Sequence, residues 1–107
     1  MEVKVYQNKS GDEPFIAWLE SIKDSITQLR VRKRLRRIET GNLGDSQPVG
    51  DGVFELRLHF GSGYRVYFGR INQEVIILLI GGDKSSQVKD IQKAKLFWKD
   101  YKQDFNI

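Results

Sequence analysis

Residues 53–84 read VFELRLHFGSGYRVYFGRINQEVIILLIGGDK, and this stretch decides the fold. Apolar and polar residues alternate through 53–60 and 64–69, which predicts two strands that each have one apolar face. The tripeptide Gly-Ser-Gly between them supplies the glycines that a tight hairpin turn needs. The run at 75–80 is apolar without interruption, which is typical of a strand covered on both faces. We therefore expect three consecutive antiparallel strands.

The two hairpin turns predict which side chains share one end of this sheet. A three-residue loop at 61–63 and a turn at Asn72-Gln73 give four cross-strand pairs: His59 with Arg65, Arg57 with Tyr67, Tyr67 with Leu78, and Arg65 with Ile80. The chain leaves the third strand through Gly81, so Lys84 is expected near Arg65. The predicted cluster on the polar face consists of Arg57, His59, Arg65, Tyr67 and Lys84.

Composition indicates a small basic protein of one domain, residues 1–107. The net charge of +4 favours an anionic partner. The lack of cysteine excludes disulfides and thiol catalysis, and a single histidine without a carboxylate cluster predicts no metal site. No apolar run approaches the roughly 20 residues of a membrane span, and residues 1–10 lack a signal-peptide core. We expect a cytoplasmic protein that uses no metal and no cofactor.

The remaining elements are predicted from caps, breakers and apolar spacing. Before the hairpins we expect an edge strand over 1–7 and a helix that Asp12 caps and that has Pro14 in its first turn. A second helix is capped by Ser25 or Thr27 and ended by Gly41, and a loop follows over 42–52. After them, Ser85 or Ser86 caps a last helix whose apolar positions are Val88, Ile91, Ala94, Phe97, Trp98 and Tyr101. The order β-αα-βββ-α indicates an α+β fold, with a single antiparallel sheet packed against a helical pair. The last helix or a partner protein is expected to cover Leu78 and Ile80.

The second predicted helix carries a high density of positive charge. The cations between positions 30 and 37 are Arg30, Arg32, Lys33, Arg34, Arg36 and Arg37. Like charges four residues apart on a helix repel each other by roughly a few tenths of a kcal/mol per pair. This density favours a surface that contacts nucleic-acid phosphates, formed by Arg30, Lys33, Arg34 and Arg37. A solvated helix face and a helix on a membrane surface are the alternative interpretations.

The motifs ELR, GYRVYF and GGDK, together with PFIAWLESI, GNLGD and GGDKSSQ, resemble the phage-derived, HigB-type addiction-module killer proteins. These belong to the RelE/ParE superfamily of toxins from type II toxin–antitoxin modules, and the likeness covers nearly the whole chain. The resemblance implies a RelE/ParE-like fold and an mRNA endoribonuclease that acts in the ribosomal A site. It also implies a cognate helix-turn-helix antitoxin, of the HigA type, as partner. The ParE branch poisons DNA gyrase instead, and that function stays open.

Metal-free cleavage of RNA uses the 2′-hydroxyl as nucleophile and needs a base, an acid and cations for the phosphorane. By the resemblance, Arg57, Arg65 and Lys84 fall where family members place basic residues. The two arginines suit the phosphorane charge, and Lys84 suits a cation or a base. His59 is a candidate acid or base, and Tyr67 is a candidate to stack on a nucleobase or position a phosphate. A non-catalytic RNA-binding module is a further alternative.

Overall fold

One five-stranded sheet runs through the computed structural model, which describes residues 1–106. The strands are β1 (Glu2–Val5), β2 (Ser46–Gly50), β3 (Val53–Arg57), β4 (Arg65–Ile71) and β5 (Val75–Gly82). The helices are α1 (Pro14–Ser21), α2 (Ser25–Glu39) and α3 (Gln87–Asp104), and a 3₁₀ turn at Lys84–Ser86 leads into α3. The strand order across the sheet is β1-β5-β4-β3-β2. The described residues form a single α+β domain.

The sheet is mixed, because β1 runs parallel to β5, with Val3 beside Ile76. The prediction of a purely antiparallel sheet is therefore wrong, whereas the edge position of the first strand is confirmed. Some 70 residues separate the two paired strands, and neither strand carries a local signal of its partner's direction.

The stretch 42–52, expected to be a loop, contains the second edge strand, β2. This strand pairs antiparallel with β3 through a turn at Asp51 and Gly52, whose φ angles are 56° and 81°. An Asp-Gly dipeptide is a strong hairpin signal. The strand itself is hard to predict because its sequence SQPVG is polar, contains Pro48 and lacks an apolar alternation.

The register between β3 and β4 differs by two residues from the prediction. The observed pairs are Arg57 with Arg65 and Glu55 with Tyr67. The strand ends at Arg57, and the Leu58 amide donates to the Tyr64 carbonyl at 2.9 Å across a loop wider than three residues. A shift of two residues keeps every side chain on its predicted face. It removes His59 from the ladder, so the predicted pair of His59 and Arg65 is wrong.

The register between β4 and β5 also differs. The observed pairs are Tyr67 with Ile80 and Arg65 with Gly82, in place of the predicted Leu78 and Ile80. The turn spans three residues, 72–74, and a β-bulge shifts the register between Tyr67 and Phe68. As a result, Leu79 and Ile80 both belong to the part of the core that packs against α3.

The core has two layers, one on each face of the sheet. The layer beneath α1 and α2 contains Phe15, Leu19, Val31, Ile38, Leu56, Val66, Phe68, Ile76 and Leu78. The layer beneath α3 contains Val53, Tyr67, Ile77, Leu79, Ile80, Ala94, Trp98 and Tyr101. The predicted burial of 75–80 on both faces is thus confirmed. The helical pair covers Leu78, and α3 covers Ile80.

The helix ends and one apolar position differ from the predictions. Asp24 caps α2 in place of Ser25 or Thr27, and its carboxylate accepts from the Ile26 amide at 3.1 Å. Glu13 is the N-cap of α1, in place of the predicted Asp12. Val88, expected in the buried stripe of α3, is 72% exposed because it lies about half a turn from the buried face. Within residues 1–106, none of the helices has the length and apolar character that crossing a membrane requires.

Close packing between β4 and α3 gives a test of the fold. A Cβ at Gly69 would overlap the Trp98 indole, so Gly69→Ala should lower the free energy of unfolding by about 1–3 kcal/mol. Equilibrium urea denaturation measures this loss. In a Trp98→Leu background the same substitution should cost less, and equal losses in both backgrounds would contradict a direct contact.

Candidate functional site

A cleft with a volume of about 340 Å³ lies between α2 and the end of β3, and we call it the α2 cleft. Its cationic lining consists of Arg30, Lys33, Arg34, Arg37 and Arg57. The remaining lining residues are Asp45, Leu58, His59 and Phe60. The four helical cations have the spacing i, i+3, i+4, i+7, which places them on one face of a helix. The α2 cleft therefore brings the predicted RNA-binding set together with Arg57 and His59.

The positive charge of the α2 cleft is only partly compensated. Burial, together with the charge of Arg37, lowers the pKa of Arg34. Nη1 of Arg34 is buried and has no hydrogen-bond partner among residues 1–106. Asp45 is the one carboxylate among the described residues of the lining. An anion with several oxygens would supply acceptors and reduce the repulsion between the cations.

His59 and Asp45 form an exposed pair in the lining of the α2 cleft. Asp45 Oδ2 lies 2.7 Å from His59 Nε2, and the His59 side chain is 74% exposed. The Asp45 carbonyl accepts from the Arg57 amide at 2.9 Å, which attaches this loop to β3. A carboxylate bound to one ring nitrogen orients the other nitrogen, which is the arrangement that proton transfer requires. Asp45 is absent from the predicted set, and its one sequence signal is its place in the GNLGD motif.

Glu55 of β3 is fully buried and positions the polar groups on its face of the sheet. Its carboxylate contacts Arg57 Nε (3.0 Å), Gln47 Nε2 (3.4 Å), Gln87 Nε2 (2.8 Å), the Tyr67 hydroxyl (3.3 Å) and Arg65 Nε (3.6 Å). Burial acts to raise the pKa of Glu55, but the hydrogen bonds from Gln87 and Arg57 and the charges of the two arginines lower it overall. Glu55 is therefore an ionised anchor with both oxygens occupied. From the sequence, Glu55 is only a possible ion-pair partner of Arg57. That pair is confirmed, whereas the contacts of Glu55 with Gln87 and Tyr67 were not predicted.

Arg57 and Arg65 lie opposite each other but differ in exposure. The Arg57 side chain is 40% exposed, so the guanidinium that Glu55 holds at Nε can still bind an anion through its other nitrogens. The Arg65 side chain is 11% exposed, and its Nη1 donates to the Gly63 carbonyl at 2.9 Å. Both arginines border a second cleft of about 360 Å³, which we call the hairpin cleft and which also includes His59, Phe60, Gly63 and Tyr64.

The other two predicted residues lie outside these clefts. Tyr67 is completely buried, and its hydroxyl donates to Glu55. Burial raises the pKa of Tyr67, so it remains a neutral donor, and the prediction that it stacks on a nucleobase is wrong because α3 covers its ring. Lys84 lies on the 3₁₀ turn, close to Gly63: a Cβ at Gly63 would be 3.4 Å from Lys84 Cβ and 3.5 Å from Arg65 Nη1. This position fits the expected proximity of Lys84 to Arg65.

Sequence comparison relates the chain to a protein of Haemophilus influenzae that is described as uncharacterized. The two are 48% identical over 82 residues, which cover 77% of this chain and 83% of the Haemophilus protein. The chain belongs to the family of that protein. No protein-family model and no solved structure matches the chain. Membership of the Haemophilus protein's family assigns no activity, so the function has to be argued from the α2 cleft and the hairpin cleft.

The buried contacts of Glu55 predict a large loss of stability in Glu55→Gln. This change leaves Arg65 inside the protein without its counter-charge, and breaking a buried ion pair costs about 3–5 kcal/mol. Urea denaturation at pH 7 measures the loss. The matched control is Asp51→Asn, which removes an exposed carboxylate 3.9 Å from Lys95 and should change stability by less than about 1 kcal/mol. Similar effects of the two substitutions would contradict the role of Glu55.

The stability difference between the wild type and Glu55→Gln should depend on pH. The folded-state pKa of Glu55 lies below its ordinary value of 4.5, so its stabilising effect is present above pH 4.5. The effect disappears as the pH falls through the lower pKa of the folded state. The difference in unfolding free energy between wild type and Glu55→Gln should therefore be constant near neutrality and shrink in strong acid. A difference that is the same at pH 7 and pH 3 would contradict the lowered pKa.

Proposed function

We propose that the protein is the toxin of a type II toxin–antitoxin module and acts as a ribosome-dependent mRNA endoribonuclease of the RelE/ParE type. The observation that carries the proposal is the α2 cleft, where five cations meet the pair of His59 and Asp45. The motif resemblance to HigB-type toxins supports the same function. The partners of this function are the ribosome with its mRNA and a helix-turn-helix antitoxin, and its location is the cytoplasm.

Binding of RNA is assigned to the cationic face of α2. Guanidinium groups bind phosphate oxygens in pairs, and every neutralised phosphate releases counterions. Arg30, Lys33, Arg34 and Arg37 are rigidly spaced by the helix, so they can contact successive phosphates of one strand. The support for this assignment is that all four of these cations line the α2 cleft, where Asp45 is the one carboxylate among the described lining residues.

Cleavage is assigned to Arg57 and His59. The RNA 2′-oxygen loses its proton and bonds to the adjacent phosphorus, and the bond from phosphorus to the 5′-oxygen breaks as that oxygen gains a proton. Arg57, held by Glu55, stabilises the charge of the phosphorane, and His59, oriented by Asp45, transfers a proton. Arg65 supports Arg57 through the shared carboxylate, and Lys84 adds positive charge next to Gly63. Among residues 1–106, no cluster of three or more His, Cys, Asp or Glu side chains could hold a metal ion.

Primer extension on a reporter mRNA in a reconstituted translation reaction tests the activity. We expect stops within translated codons for the wild type, with His59→Ala reducing the cleavage rate about 100-fold or more. Arg57→Ala should reduce it by a similar factor. Arg36→Ala is the control, because Arg36 lies on the opposite side of α2 from the cleft. Growth arrest without mRNA cleavage would overturn the proposal in favour of a gyrase poison.

The salt dependence of RNA binding tests the cationic face separately. Replacing Lys33 and Arg37 by glutamine removes two charges from the α2 cleft and should flatten the plot of log affinity against log salt by roughly one to two units. Replacing Arg32 and Arg36 removes the same charge from the same helix but outside the α2 cleft. If both double variants bind ribosomes or RNA with equal salt slopes, α2 does not bind through this face.

A further inference from the structure

A row of three aromatic rings connects the hairpin cleft to a third cleft on the far side of the 61–63 loop. Tyr64 lies in the middle, with its ring centroid 6.1 Å from Phe60 and 5.9 Å from Trp18. All three rings are half-buried, so each has an accessible part. Phe60 borders the α2 cleft and the hairpin cleft, Tyr64 borders the hairpin cleft and the third cleft, and Trp18 borders the third cleft. The three clefts are therefore neighbours, and each adjacent pair shares one of these aromatic side chains.

The third cleft has the opposite chemistry from the first two. Its volume is about 460 Å³, and its polar lining includes Ser62, Asp83, Ser85, Ser86, Asp90 and Lys23. Two carboxylates against one lysine make it unsuitable for phosphate, in contrast to the cationic α2 cleft. Carboxylates and hydroxyls are acceptors for amino groups, and aromatic rings offer a stacking surface. A nucleobase that carries an exocyclic amino group combines both requirements.

Asp83 is the acceptor best placed for such a base. Its Oδ1 accepts from the Ser85 amide at 2.9 Å and from the Ser85 hydroxyl at 2.6 Å. Its Oδ2 lies 3.4 Å from the Ser62 hydroxyl, and the Ser86 amide also donates to the carboxylate in a capping box. The carboxylate borders the third cleft, so a ligand there meets an acceptor that the 3₁₀ turn holds in place. The hydrogen bond from the Ser85 hydroxyl contributes most to lowering the pKa of Asp83, so the carboxyl stays ionised near neutral pH.

Trp18 is held in place before any ligand arrives. Its ring lies directly on the backbone of β5, because a Cβ at Gly81 would overlap the indole. Phe15 packs against it from inside the core, with the ring centroids 5.7 Å apart. A ring fixed in this way loses little conformational freedom when a base stacks on it.

We infer that the aromatic row and the third cleft bind an unpaired, amino-bearing nucleobase of single-stranded RNA whose phosphates lie in the two basic clefts. The inference rests on the proposed function and specifies its substrate. The strand passes over the 61–63 loop, and its base turns away from the cations toward Trp18, Tyr64 and Asp83. A base-paired strand cannot take this path, because its base faces are stacked and its amino groups are already bonded.

Trp18 fluorescence tests the inference. The chain has two tryptophans, and Trp98 is buried, so Trp98→Phe leaves Trp18 as the single reporter. The probes are 2′-O-methyl oligonucleotides at low salt: one with cytosines, one with uracils in their place, and one with abasic sites and the same phosphates. We expect the cytosine strand to quench Trp18 and to bind about tenfold more tightly than the abasic strand. The uracil strand, which lacks the amino group, should bind less tightly than the cytosine strand.

Two further measurements keep the test informative. The wild type provides the same quenching signal if Trp98→Phe is poorly folded, because Trp98 is shielded from the oligonucleotide. Tyr64→Ala should abolish the advantage of the cytosine strand over the abasic strand, whereas Tyr64→Phe, which retains the ring, should preserve it.

The outcomes separate the inference from the proposed function. Equal, salt-dependent binding of the cytosine and abasic strands, with constant Trp18 fluorescence, would overturn the base site and leave phosphate binding in place. Equal affinity for cytosine and uracil strands that both quench Trp18 would overturn the preference for an amino group. Failure of every strand to bind at low salt would count against the proposed function and the inference together.

Discussion

The ionised Glu55 inside the sheet is the interaction on which the polar end of the molecule depends. A carboxylate without water is stable only if it is fully hydrogen-bonded and paired with cations. Here the bonds come from β2, β3, β4 and the first turn of α3, through Gln47, Arg57, Tyr67 and Gln87. One buried charge thus joins three strands and a helix, and it fixes the directions of Arg57 and Arg65. The exposed arginine is oriented because the buried carboxylate has no freedom to move.

The early end of β3 separates residues of the core from residues that line the two clefts. As far as Arg57 the strand is part of the ladder, and its side chains Phe54 and Leu56 pack beneath the helical pair. Beyond Arg57 the backbone leaves the sheet, so that His59 reaches Asp45 and Phe60 lies beneath the Arg30 guanidinium, 4.1 Å from the ring centroid. His59 is exposed and outside the ladder, so it can vary without disturbing the core, whereas Phe60 packs against the edge of the core.

Much of the fold follows from the sequence, because periodicity is a local property. Alternation gave the correct faces for Leu56 and Arg57, and the spacing of Arg30, Lys33, Arg34 and Arg37 gave a common helix face. Register was harder, since it depends on turn lengths and on a bulge that apolar patterns do not encode. The roles of Asp45, Glu55 and Tyr67 were missed for a related reason. They arise from contacts between distant segments, and Tyr67 is buried only because α3 crosses above it.

The consecutive glycines at the end of β5 have a mechanical consequence. Gly81 lies against the Trp18 ring on one face of the sheet, and Gly82 lies against the Asp90 carboxylate on the other. At this point only the backbone of β5 lies between the Trp18 side chain of α1 and the Asp90 side chain of α3. A side chain at either position would push one of these groups away, so the two glycines set how closely α1 and α3 can approach the sheet at this point.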